Sequence, residues 1–298
     1  MDQNKLKETL GKVRGAIKIC GHPNPDADSI LSALLLKDYF NYLGFESRVA
    51  IPERINAEQP INTAKILSID LDSLFGEIHN DDAVFLVDCH NCKYSDNVIG
   101  CIDHHPTEEK IGFDFVINRK ATSAAMIIIR LMEDSGMTVT DRHYVYAIYS
   151  AYLDTLSLKS VKTCREDIPW LDEKIRLTGT DKSFLTKFGL GVNDQDQPID
   201  RLAVIGFKEY EIYGNTVATS YIMYDSLSED VKRQITEHLI AERERTGYAL
   251  WIYVFCNPIE EHTEMIEITR NGVEHKYYDR IISRSIDIVP MLESRFRP

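Results

Sequence analysis

The sequence predicts an α/β protein: an N-terminal doubly wound, mainly parallel sheet with helices on both faces, then a smaller C-terminal α/β domain with a mixed sheet. Three observations in its 298 residues predict this. Short apolar runs of strand length alternate with helical patterns over the first half, as successive βαβ units require. At residues 185–200 the character changes to a polar stretch with glycines and a proline, ending K-F-G-L-G-V-N-D-Q-D-Q-P-I-D. Beyond it, alternating strand patterns surround one long helical pattern. The expected organisation is a catalytic domain at 1–186, a linker or hinge at 187–200, and a substrate-binding domain at 201–298.

Residues 4–14 read as a short amphipathic helix with Leu6, Leu10 and Val13 on one side. Ala16 to Cys20 is an apolar strand, ended by Gly21, with Pro23 and Pro25 stiffening the turn. A helix apolar over much of its circumference runs from about Ser29 to Leu43, and Gly44 stops it. Ser47 to Ile51 is a strand and Thr63 to Ser68 a short helix. Ala83 to Val87, Val98 to Ile102 and Phe113 to Ile117 are further strands. Helices follow at Thr122 to Glu133 and Asp141 to Leu153, the latter arriving at Asp154. In the C-terminal part, a hairpin is expected in Tyr210 to Val217 around Gly214-Asn215. Then come a helix near Ser228 to Glu244 and strands at Ala249 to Cys256 and Glu264 to Thr269.

Composition narrows the classes. Apolar and charged contents of 44% and 27% are those of a globular domain, and no apolar run approaches bilayer length. The N-terminus lacks the apolar core of a secretion signal, so a cytoplasmic setting without membrane contact is expected. A formal charge of −13 disfavours extended nucleic acid as a partner. Of six cysteines, Cys89 and Cys92 form a C-x-x-C, but no second pair completes a zinc site and the segment after it reads as a loop, against a redox role.

The turn after the first strand, C-G-H-P-N-P-D-A-D-S, places His22, Asp26 and Asp28 within seven residues. An imidazole and two carboxylates suit Mn²⁺, Mg²⁺, Fe²⁺ or Zn²⁺, and the lack of a thiolate argues against structural zinc. Asp26, Asp28 and Ser29 equally suit the cap of the following helix. Two further strands end in Asp88 and in Asp103-His104-His105. Ligands of a parallel sheet bind beyond the carboxyl ends of its strands, where all these residues fall.

G-H-P-N-P-D-A-D-S-I, L-V-D-C-H-N, C-I-D-H-H-P and Y-L-D-T-L-S-L-K-S resemble, in order, the four motifs of the DHH phosphoesterase superfamily. The chain is most similar to its manganese-dependent (family II) inorganic pyrophosphatases and related exopolyphosphatases. F-K-E-Y-E-I-Y-G-N-T-V and I-I-S-R-S-I-D-I-V-P look like the second type of DHH-associated domain. The resemblance implies two divalent cations, Mn²⁺ preferred and Mg²⁺ or Co²⁺ possible, between the domains. One would be held by His22, Asp26 and Asp88, the other by Asp28, Asp88, His104 and Asp154, with Asp88 shared. It implies attack by a water acidified between two cations, with Asp88, Asp103 and His105 in catalysis. His105, Lys208 and Arg284 match substrate-binding positions, and Asn118 and Ser123 could donate to substrate. A small phosphate-containing substrate and a homodimer are further implied.

Three departures stand out. The family's D-H-N is here Asp88-Cys89-His90-Asn91, its R-K-K is Arg284-Ser285-Ile286, and a glycine after the third motif is Ala121. Each missing charge-assisted bond to pyrophosphate costs about 1.5–3 kcal/mol. The leading expectation is therefore a two-metal hydrolase of phosphoanhydride bonds, most simply a pyrophosphatase. An exopolyphosphatase, a small-nucleotide phosphodiesterase and an inactive phosphate or nucleotide binder are the alternatives.

Overall fold

The computed structural model describes residues 3–55, 57–91, 94–107, 110–160, 162–191 and 196–297. The chain divides into two compact units, Met1–Gly189 and Leu190–Pro298. Residues 192–195 of the expected linker, and Cys92 of the C-x-x-C, lie outside the described residues.

The first unit runs α1 (Gln3–Gly11), β1 (Ile17–Cys20), α2 (Ala27–Tyr42), β2 (Ser47–Val49), α3 (Glu58–Ile66), β3 (Val84–Val87), β4 (Val98–Asp103), β5 (Phe115–Asn118), α4 (Ala124–Asp134), α5 (Asp141–Asp154), α6 (Ile168–Thr178) and α7 (Lys182–Gly189). Its five strands are all parallel in the order β2-β1-β3-β4-β5. Period-two alternation splits the strands between two faces. Ile17, Ile19, Phe85, Val87 and Ile102 join a large core with α2, α4 and α5, while Cys20, Leu86 and Cys101 pack with Tyr94, Ile111 and Phe113 from connecting segments. α2 is buried nearly all round because it packs on α4 and α5 as well as on β1 and β3, which is why it reads as apolar over most of its circumference.

The second unit runs α8 (Ile199–Ala203), β6 (Lys208–Ile212), β7 (Asn215–Met223), α9 (Glu229–Thr246), β8 (Leu250–Asn257), β9 (His262–Thr269), β10 (Gly272–Tyr278) and α10 (Val289–Phe296). Its sheet, β10-β9-β8-β7-β6, is mixed: β7 and β8 are parallel, joined across α9, and the other pairs antiparallel. Every residue of the central β8 is buried. Ile235 and Leu239 of α9 cover Trp251, Tyr253 and Phe255 on one face, and Leu292 of α10 covers Ile252 and Val254 on the other.

Several elements differ from the sequence expectation. α3 begins at Glu58 rather than Thr63, since Pro60 in the first turn takes the place of an N–H with no helical partner. α6, α7, α10 and β10 have no counterpart in the expectation. α6 buries only Trp170, Leu171 and Ile175, and β10 has no buried residue, so neither shows a strong periodic signal.

Candidate metal centre

Adjacent strands place the centre. β1 leads into His22, β3 into Asp88, and β4 ends on Asp103 ahead of His104 and His105. The strand order reverses between β1 and β3, opening a crevice at their carboxyl ends. α2 contributes Asp26 as its N-cap, Oδ1 accepting the Ser29 N–H at 3.0 Å, and Asp28 in its first turn. α5 ends on Asp154. Asp88 has φ of 58°, a left-handed backbone disfavoured for a residue with a Cβ and found where a site requires it.

Two groups of donors share Asp88. His104 Nε2 lies 3.3 Å from Asp88 Oδ1, 3.6 Å from Asp28 Oδ2 and 3.7 Å from Asp154 Oδ2. His22 Nε2 lies 3.5 Å from Asp88 Oδ2 and 3.8 Å from Asp26 Oδ2. Donors bound at about 2.0–2.2 Å to one small cation stand about 3–3.5 Å apart, close to these separations. Asp88 Oδ1, His104 Nε2 and Asp154 Oδ2 are buried without a hydrogen-bond partner among the described residues. Such atoms are nearly always paired, and leaving them unpaired is costly. His22-Asp26-Asp88 and Asp88-His104-His105 are each compact enough to hold a metal ion. Imidazole and carboxylate donors suit a hard or borderline divalent cation, so the residues present fit one.

Neighbours fix these donors. Asp28 Oδ1 accepts the Ser150 hydroxyl at 2.6 Å, the Ser32 hydroxyl at 2.8 Å and the Ala125 N–H at 3.2 Å, and Oδ2 accepts the Ala124 N–H at 2.8 Å. The N-terminus of α4 thus faces a carboxylate, as its dipole favours. The Ser29 hydroxyl donates to Asp88 Oδ2 at 2.7 Å. His104 Nδ1 is 3.1 Å from the Ala121 carbonyl, which can only accept, so Nδ1 keeps its proton and Nε2 is the nitrogen that would turn to a cation once its own proton leaves.

Electrostatics describe a cluster short of positive charge. Burial and the nearby Asp88 push the Asp28 carboxyl up to about 7, and burial raises Asp154. Burial also works against Asp88, but the nearby His104 and His22 imidazoles and the hydrogen bond from Ser29 outweigh it and hold that carboxyl low. Hydrogen bonding to the Asp26 and Asp88 carboxylates raises His22 to about 11. Burial would lower His104, yet Asp88, Asp28 and Asp154 raise it to about 9. In the metal-free chain, protons on two imidazoles supply the charge a cation would bring.

Asp103, fully buried, lies between His90 Nδ1 at 2.5 Å and His105 Nδ1 at 2.9 Å and accepts the N–H groups of His104 and His105. Asn118 donates to the His105 carbonyl at 2.8 Å. Ser123, expected to donate to substrate, is instead a fully buried N-cap of α4 that accepts the Met126 N–H. Lys208 and Arg284 belong to the second unit. Lys208 is the exposed first residue of β6. The Arg284 guanidinium lies over the Tyr221 ring, against Gly206, where a Cβ would come within 3.0 Å of it.

Sequence reasoning left the role of His90 open and missed Ser32, Ser150 and Lys162. Ser32 stands four residues after Asp28 and Ser150 four before Asp154, one helical turn apart, a spacing that signals a shared face. Lys162 Nζ is 3.4 Å from Asp154 Oδ1, and no spacing rule reveals that.

The donor set, the family-profile match and the names of similar proteins together support a metal-dependent phosphohydrolase. Residues 16–158 match the profile of the DHH family, N-terminal domain. It is 21% identical to the probable manganese-dependent inorganic pyrophosphatase of Streptococcus mutans over 320 aligned positions, spanning 94% of this chain and 98% of that protein. A Streptococcus thermophilus protein of the same name is 22% identical over the same shares. Among solved structures, a Methanococcus jannaschii protein assigned to the family II inorganic pyrophosphatases superposes with a TM-score of 0.54 at 20% identity, covering 95% of this chain and 100% of that one. An exopolyphosphatase-related protein of Bacteroides fragilis gives 0.52 at 14% identity, covering 99% and 96%. These structures share the fold.

Proposed function

We propose that this chain hydrolyses phosphoanhydride bonds with two divalent cations, Mn²⁺ preferred, inorganic pyrophosphate being the simplest substrate. His22, Asp26 and Asp88 would hold one cation; Asp28, Asp88, His104 and Asp154 would hold the other. The carrying observation is the buried, unpaired set of Asp88 Oδ1, His104 Nε2 and Asp154 Oδ2. The names of the streptococcal relatives support manganese and pyrophosphate.

When bound, divalent cations acidify water and offset charge on phosphoryl oxygens. The chain's own groups do the rest. Asp103 accepts from His105 Nδ1 and raises that imidazole's pKa, which favours the doubly protonated ring whose Nε2–H would donate to the departing phosphate oxygen. Asn118 ties down the His105 backbone, keeping the ring's reach fixed. Lys208 and Arg284 are the proposed substrate cations of the second unit, an assignment that rests on the sequence motifs.

Phosphate release by the purified chain with Mn²⁺ tests this, with pyrophosphate, tripolyphosphate, short oligonucleotides and cyclic dinucleotides as substrates. Release from the anhydrides, with the nucleotides left intact, is expected. Turnover confined to the nucleotides overturns the reading, and metal binding without any turnover points to a phosphate sensor.

A further inference from the structure

Lys208 and Arg284, the two cations assigned to substrate in the second unit, lie far apart in sequence, yet Tyr221 of β7 touches the segments that carry both. Pairing between β6 and β7 ends with Lys208 opposite Thr219. Two residues further along β7, the Tyr221 N–H therefore has no β6 partner and donates to the Ile205 carbonyl at 2.9 Å. That bond fixes the turn that leads through Gly206 into Lys208. Gly206 has φ of 61°, a backbone that favours glycine, and a Cβ there would come within 2.9 Å of the Tyr221 carbonyl oxygen and 3.0 Å of Arg284 Nη2. The Tyr221 hydroxyl donates to the carbonyl of buried Ile282 at 2.9 Å, two residues before Arg284. The guanidinium carbon of Arg284 lies 5.8 Å from the centre of the Tyr221 ring, within cation–π reach.

The ring holds this cation without neutralising it. Asp287, the carboxylate of the helical turn Arg284–Ile288, pairs with Arg280 at 2.6 Å instead. Arg284 Nε is buried without a hydrogen-bond partner among the described residues. Building on the anhydride-hydrolase reading, we propose that Tyr221 is the positioning residue that sets Arg284 and Lys208 for contact with phosphoryl oxygens. Arg284 is the cation this motif keeps, since Ser285 and Ile286 follow it where the family has lysines. One guanidinium gains most from a phosphoryl group when its planar fork already points the right way. An arginine ordered on an aromatic face loses less rotamer freedom when substrate arrives. A tyrosine with only a packing task needs a buried ring and a satisfied hydroxyl. Here the ring also carries a charge with no counter-ion, and the missing side chain of Gly206 leaves the room that Nη2 occupies.

Calorimetric binding of imidodiphosphate, a non-hydrolysable pyrophosphate analogue, to the Mn²⁺-loaded full chain tests this, with KM and kcat for pyrophosphate measured alongside. Arg284→Ala and Tyr221→Leu are each expected to weaken analogue binding about tenfold, the size of one lost charge-assisted bond. KM should rise in step while kcat stays within about twofold, the mark of lost binding rather than lost chemistry. The double variant should fall well short of the roughly hundredfold loss that independent contributions would give. Tyr221→Phe, which keeps the ring, should recover most of the affinity, and Mn²⁺ affinity should be unchanged throughout. Gly206→Ala presses a Cβ against Nη2 and should weaken analogue binding from the opposite side, so it carries the test if Tyr221→Leu does not fold. Analogue affinity unchanged in Tyr221→Leu and Gly206→Ala, losses that multiply in the double variant, or a wild-type chain that binds no analogue overturns the proposal. A wild-type chain that binds the analogue through Arg284 and turns nothing over refutes the hydrolase reading and leaves the role of Tyr221 standing.

Discussion

Two buried acidic clusters, one in each unit, are built in opposite ways. In the second unit, fully buried Glu267 meets Lys276 Nζ at 2.6 Å and Arg295 Nη1 at 2.5 Å, one cation per oxygen. Glu264 beside it takes Lys232 at 3.0 Å and His275 at 2.9 Å. Burial alone would raise both glutamates, yet these partners hold them below the usual carboxylate range. In the first unit, Asp28 and Asp154 are raised instead, and buried oxygens on Asp88 and Asp154 face one another's charge unpaired. A matched cluster braces a fold. An unmatched one, retained at the carboxyl ends of three neighbouring strands, is a place for cations the chain does not itself supply.

Acid-to-amide changes sharpen the contrast. Asp88→Asn removes the carboxylate shared by both donor groups and should lower the rate of anhydride hydrolysis on the order of 10³-fold, measured at saturating metal. A wild-type rate would break the sharing.

Metal affinity should climb with pH, by about tenfold per unit for each proton released. His104, raised to about 9, and His22, raised to about 11, are protonated near pH 7 in the metal-free chain, and a cation must displace those protons. Their stabilisation of the metal-free fold is complete below about pH 6.5 and fades as pH rises through about 9 for His104 and about 11 for His22. Calorimetry in buffers of different ionisation enthalpy reads the protons, and an affinity flat from pH 6 to 8 would contradict the assignment.

Ser150→Ala deprives Asp28 of its shortest hydrogen bond and should weaken metal binding about 10–100-fold with little effect on the metal-free fold. Equal loss of both would make Ser150 a core residue only.

The smallest expected effects are on stability and differ in kind. Glu267→Gln strands two cations and should cost about 1.5–3 kcal/mol, reduced to the extent that the partly exposed Lys276 and Arg295 reach water. Asp154→Asn should not destabilise the metal-free chain, because the charge removed is one that burial disfavours. Denaturant unfolding of both variants without metal compares them, and losses of similar size would erase the distinction.

Much of the centre was legible because parallel sheets read locally: an apolar run followed by His22, Asp88 or Asp103 announces a strand and what stands at its end. What escaped depends on partners far apart in sequence. Ser150 is 122 residues from the Asp28 it holds, and the α4 amides reach Asp28 across 96 and 97. Pairing of His90 with Asp103 needs β3 and β4 side by side before it can be seen. In the second unit, the strand patterns of β7, β8 and β9 were clear because both faces of that sheet are covered. β10 escaped because it has no buried residue.

The most direct test is manganese stoichiometry at equilibrium, by dialysis of the full chain followed by elemental analysis. The account predicts two Mn²⁺ per wild-type chain and fewer in Asp88→Asn. A wild-type chain that retains no Mn²⁺, or an Asp88→Asn chain that retains as much as wild type, would contradict it.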